Sequence, residues 1–129
     1  MKSDIRKRLQ AELNLSKGSF LAAVRFDLVW DSEKFIELCQ AMHSVSKENK
    51  GENCLDKDIS QLFWYCGTFI PMWLEQRDFK VGQPDIDYHR AIEVLKKLGN
   101  EWFGDECAFE EKQFEEELKG IQQVVPRNG

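Results

Sequence analysis

Strong catalytic and metal signatures are missing from this chain of 129 residues. It has no Walker A loop, G-x-G-x-x-G, H-E-x-x-H, EF-hand loop or G-x-S-x-G elbow, so the enzyme classes that these motifs announce are excluded. Histidine is scarce: His43 and His89 are the two present, with no E-x-x-H repeat to build a dinuclear metal site inside a helical bundle. The cysteines, Cys39, Cys54, Cys66 and Cys107, form no C-x-x-C pair and lie far apart. Reduced thiols are therefore expected, with Cys39 and Cys66 acting as small hydrophobes on helix faces. No long hydrophobic run occurs either. The longest, residues 62–74, contains Gly67 and Pro71 and falls short of the ~20 residues that span a bilayer. The first residues, MKSDIRKRLQAEL, are charged throughout, which predicts no secretory signal and a cytoplasmic protein. A basic excess is absent too: 18 Lys+Arg against 23 Asp+Glu leave a net charge of −5, the wrong sign for tracking a phosphate backbone or an anionic membrane surface. Neither is an expected partner.

What is present describes a soluble helical protein. Apolar residues make up 42% and charged residues 32%, a balance that supports one packed core, and the length suits a single domain over residues 1–129. Loop-like composition is confined to residues 14–18, 47–55 and 78–84, and between them apolar residues recur at helical spacing. A first helix over 4–13 aligns Ile5, Leu9 and Leu13. Residues 19–30 alternate like a strand at Val24, Phe26, Leu28 and Trp30. No other run offers a partner for such an edge, so a helix is predicted there. A third helix opens at the Asp31-Ser32 cap and carries Phe35, Leu38, Cys39, Met42 and Val45. A fourth, over 56–77, aligns Ile59, Leu62, Phe63, Cys66, Ile70, Trp73 and Leu74 and is apolar on nearly every side. Such a helix is expected in the middle of the bundle, kinked at Pro71. A fifth, over 85–103, turns Tyr88, Ala91, Ile92, Leu95, Leu98 and Trp102 inward, with a Glu93/Lys97 pair on its flank. A last helix, from an Asp105 cap to 124, turns Phe114, Leu118, Ile121 and Val125 inward. The expected fold is all-α: five or six mostly antiparallel helices around the 56–77 helix.

Three features carry functional content. Asp85, His89 and Glu93 stand at i, i+4 and i+8, a spacing that stacks potential ligands on successive turns. They fall at the water boundary of their helix, where charged residues ordinarily sit, so no metal, catalytic residue or cofactor is expected. Aromatic residues are abundant, and Trp64, Tyr65 and Phe109 lie off the apolar stripes, which predicts that they reach the surface as anchors for a partner. Charge is segregated: residues 105–117 hold Asp105, Glu106, Glu110, Glu111, Glu115, Glu116 and Glu117 against Lys112, while residues 1–9 hold Lys2, Arg6, Lys7 and Arg8 against Asp4.

A dense acidic helix speeds capture of a basic partner. The expected function is thus a small acidic protein-binding module for a protein with a basic surface. Glu110, Glu111, Glu115, Glu116, Trp64, Tyr65 and Phe109 are its expected contact residues. In size, charge and helix content it is similar to small immunity or antitoxin proteins that neutralise a basic nuclease toxin. The alternative is a small-molecule binder or sensor with an aromatic-lined pocket around Gly67 and Pro71.

Overall fold

A computed structural model describes residues 3–75, 87–104 and 111–122. All regular structure among them is helical, in the order α1 (Ser3–Leu13), α2 (Phe20–Asp27), α3 (Ser32–Glu48), α4 (Lys57–Leu74), α5 (Tyr88–Gly104) and α6 (Glu111–Gln122). The all-α bundle expected from periodicity is the fold observed.

Helix α2 shows why the alternating segment is not a strand. A helix start leaves its first N–H groups without intrahelical acceptors, and here each of them finds one. Ser19 Oγ accepts from the Ala22 N–H at 3.2 Å, and the Glu12 carboxylate accepts from the N–H groups of Phe20 and Leu21 at 3.0 and 2.9 Å. The Ala23 N–H donates to the Ser19 carbonyl at 3.2 Å. Glu12 is completely buried, and its charge is balanced by Arg8 one turn earlier, at 2.7 Å. The chain reaches this cap through Leu15 and Gly18, both at positive φ (56° and 87°). Helix α2 ends with Leu28 in the left-handed region (φ 55°), and the N–H groups of Leu28 and Val29 both donate back to the Ala23 carbonyl, the latter at 3.1 Å, which satisfies a carbonyl left open at the helix end. Trp30 then turns inward against Phe20, Phe35 and Tyr88, with ring centroids 4.9, 4.7 and 5.2 Å away. The apparent period of two is a short helix followed by a turn.

Helices α3, α4 and α5 are started by aspartates that accept from the backbone N–H three residues on: Asp31 from Lys34, Asp56 from Ile59, and Asp87 from Arg90. Helix α5 therefore starts at Tyr88, after Asp87 and not at Asp85, which lies outside the described residues, as do Asp105 and Val125. Helix α4 runs through Pro71 and ends at Leu74, short of residue 77.

The core is built from one face of each helix. Leu9, Phe20, Phe35, Leu38, Met42, Ile59, Leu62, Ile70 and Leu98 are buried with almost no exposure. Helix α4 makes the largest helix–helix contact, with α5, and packs next most closely on α1. At the α4–α5 seam Phe63 stacks on Trp102 with centroids 5.1 Å apart and planes within 5° of parallel, and the Trp102 indole N–H donates to Ser60 Oγ at 2.9 Å. Helix α6 lies antiparallel on α5: the Asp87 N–H donates to the Ile121 carbonyl at 3.3 Å, and Lys97 pairs with Glu117 at 3.1 Å. Lys97 thus reaches across to α6, and the expected Glu93/Lys97 contact along α5 gives way to this inter-helix pair. Trp73, placed on the buried stripe by its spacing, is only partly buried and packs edge-on to Tyr65 at 5.6 Å.

Removing the Glu12 carboxylate strands two buried N–H groups at the start of α2. Glu12→Ala is expected to cost about 2–6 kcal/mol, from about 1–3 kcal/mol for each of the two orphaned buried donors, and Arg8→Ala, which leaves the buried Glu12 charge without its counter-ion, about 3–5 kcal/mol. Urea denaturation of both variants measures this, and equal small losses would show that the cap is not what holds α2.

Candidate functional site

Helix α4 buries Ile59, Leu62, Phe63, Cys66, Ile70 and Leu74 along one stripe. Its opposite side, carrying Lys57, Gln61, Trp64, Thr68, Met72 and Glu75 at helical spacing, faces outward. From Ile59 to Leu74 the sequence contains no charged residue, so the outer side is uncharged for four turns. Trp64 and Met72 are each 54% exposed, whereas a solvated helix face normally carries charge. Neighbouring rings hold this surface in shape. Trp64 meets Phe69 edge-on at 5.6 Å, Phe69 stacks obliquely on Tyr65 at 4.8 Å, and the Tyr65 hydroxyl accepts from Arg25 at 3.1 Å, joining α4 to α2. Gly67 is exposed, and a side chain there would meet nothing within 4 Å. The region around Gly67 and Pro71 therefore opens to solvent. A cleft of about 370 Å³ lies elsewhere, at the α1–α2 corner between Leu15, Ser19, Ala22, Phe26 and Lys34.

The expected contact residues do not form one patch. Trp64 is exposed and Tyr65 half-buried on α4, while Glu115 and Glu116 are exposed on α6. Helix α6 packs on α5 and α3, and α4 packs on α5 and α1, so the aromatic and acidic groups occupy separate faces. Phe109 and Glu110 lie outside the described residues. Glu111 opens α6, and its side chain is likewise not described. Lys112 and Lys119 are exposed on the same helix as Glu115 and Glu116, and Glu117 is taken up by Lys97. The basic N-terminal helix does not meet α6 through Arg6. That guanidinium binds Asp56 at 2.9 Å and Asp58 at 3.4 Å, at the start of α4.

One polar pair inside the bundle was not read from the sequence. His43 Nδ1 lies 2.8 Å from Glu101 Oε1, both residues are buried, and the imidazole packs against Phe114 with centroids 4.4 Å apart. The pair joins α3 to α5 beneath α6. Its sequence signal was Glu101, a carboxylate standing three residues after Leu98 on the apolar stripe of α5. Burial pushes the thiols of Cys39 and Cys66 up, which favours the neutral thiol at both, and pushes the Tyr88 phenol up to about 12. His89 and Glu93 are exposed, Asp85 lies outside the described residues, and no cluster of three metal-ligating side chains occurs among the described residues. No described helix is long and apolar enough to cross a membrane. No family model, curated protein or solved structure matches the chain.

The hydrogen bond from Arg6 holds the Asp56 carboxyl below the ordinary carboxylate range. A carboxyl lowered in the folded state contributes stability above its unfolded pKa and loses it as pH falls through the folded value. The stability difference between wild type and Arg6→Met is expected to be constant near neutrality and to shrink on acidification through the carboxylate range. Urea denaturation across a pH series measures it, and a difference independent of pH would contradict the pairing.

Proposed function

We propose that the protein is an interaction module that acts by holding other proteins. The observation that carries this reading is the outer side of α4, where Trp64 and Met72 stand exposed on four turns without a charge. Aromatic residues and methionine are enriched, and charged residues depleted, at the centres of protein interfaces. Because Trp64 and Met72 are each about half exposed, contact with another surface recovers roughly half of the 1.5–3 kcal/mol that full burial of a large apolar side chain is worth.

The partner class favoured by charge is a protein with a basic surface. The chain carries a net charge of −5, and Glu115 and Glu116 project from α6 into solvent. Their field accelerates encounter with a positive surface, while apolar contacts set how long the complex lasts. An inhibitor of the immunity or antitoxin type, neutralising a basic nuclease toxin, is the kind of protein this combination fits.

The test uses the protein that co-purifies with the tagged chain and two variants, Trp64→Ala/Met72→Ala and Glu115→Lys/Glu116→Lys. The glutamate substitutions are at the surface and should each change stability by no more than about 0.5 kcal/mol. Charge reversal is expected to slow association several-fold, and the wild-type association rate is expected to fall as salt rises. The α4 variant is expected to lose contacts without unfolding, seen as weakened self- or partner association. Two variants that associate like wild type, at rates indifferent to salt, would overturn the reading.

A further inference from the structure

We propose that the outer face of α4 packs against the same face of a second copy of this chain, antiparallel, on a two-fold axis through Thr68. The inference rests on the reading of α4 as a contact surface and assigns that surface its occupant. It leaves the exposed carboxylates of α6, on a separate face, for a basic partner.

The first support is that the face is self-complementary. Thr68 stands at the centre of the outward side. Trp64 and Met72 lie four residues before and after it, and Gln61 and Glu75 lie seven residues before and after it. At 1.5 Å per residue these pairs sit about 6 Å and about 10 Å on either side of Thr68. A two-fold axis there brings Trp64 of each copy onto Met72 of the other, a favourable sulfur–aromatic contact made twice. It also brings the Gln61 amide of each copy to the Glu75 carboxylate of the other, donor to acceptor. Isologous interfaces have this property, in which residue i meets j and j meets i.

The second support is the placement of charge. Lys57 lies in the first turn of α4, and Glu75 caps its last turn. Both signs oppose the helix macrodipole, which favours anions at the start and cations at the end. In an antiparallel pair each end of α4 lies beside the opposite end of the other copy. Lys57 is offset from Glu75 of the other copy by about one turn of helix, a gap that a lysine stem can span. Charges unfavourable within one helix become favourable across the pair. Finally, two copies that each carry a net charge of −5 repel one another over most of their surfaces. The uncharged turns of α4 are where they can approach without opposing carboxylates.

Sedimentation equilibrium of the purified full chain over a concentration series tests this. The expected species has twice the 15.1 kDa mass of one chain. Trp64→Glu, which places a charge against its own symmetry mate's face, should sediment as a monomer while keeping the helical circular dichroism and a cooperative melt, and its melting temperature, unlike that of the wild type, should not rise with concentration. Lys57→Glu and Glu75→Lys should each weaken the dimer by about three- to tenfold, and the double exchange should restore it. Both substitutions suit the helix dipole, so neither threatens the fold. A chain that is monomeric at every concentration, a dimer that survives Trp64→Glu, or a double exchange no stronger than the single variants would overturn the proposal. If the purified chain stays monomeric while Trp64→Ala/Met72→Ala still weakens binding of the co-purified protein, the second copy is excluded and the interaction-module reading stands.

Discussion

Helix α4 is apolar around nearly its whole circumference, and its principal neighbours, α5 and α1, cover only part of it. Which part is covered is not open to adjustment. Turning the helix to hide Trp64 and Met72 would bring Leu62, Phe63 and Ile70 toward water, at about 1.5–3 kcal/mol for each large side chain. It would also break the Phe63–Trp102 stack and the Trp102–Ser60 hydrogen bond. At its start α4 is pinned by Asp56, which accepts from the helix backbone through one oxygen and from Arg6 of α1 through the other. The exposed uncharged face is therefore a consequence of how the core is satisfied.

The buried carboxylates of Glu12 and Glu101 have structural partners. Glu12 completes the start of α2, a helix of eight residues, too short to be stable alone. His43 and Glu101 tie α3 to α5 under the ring of Phe114. Buried polar groups of this kind cost free energy unless matched, and matching them restricts how the helices can be arranged. The surface includes an uncharged side on α4 and a charged side on α6.

Much of the fold was legible in spacing alone. The buried stripe of α3 is the one that period 3.6 selects, as are Ala91, Leu95, Leu98 and Trp102 of α5 and Phe114, Leu118 and Ile121 of α6, although Val94 is buried as well and Tyr88 and Ile92 only in part. The aspartates that open α3 and α4 follow the capping rule. What spacing could not show depends on residues distant in sequence. The eight-residue reach from Glu12 to the Phe20 N–H decides helix over strand for residues 20–27. Lys97 had Glu93 one turn away, yet it pairs with Glu117, a carboxylate on another helix. His43 and Glu101 are 58 residues apart, and only the fold makes them neighbours. On α4 the sequence revealed an apolar surround but not which side its neighbours would cover. That assignment separates Trp64 from the glutamates with which composition had grouped it.

The central claim is that the outer side of α4 is a contact surface for a second copy. The most direct measurement is fluorine NMR of the chain labelled with 5-fluorotryptophan, with Trp64 identified by a Trp64→Phe variant. Of the four tryptophans, Trp30 and Trp102 are buried and Trp73 is partly buried. The Trp64 resonance is expected to lose its sensitivity to solvent isotope as protein concentration rises, while those of Trp30 and Trp102 stay fixed. A Trp64 resonance that remains solvent-sensitive and unmoved at every concentration would contradict the account.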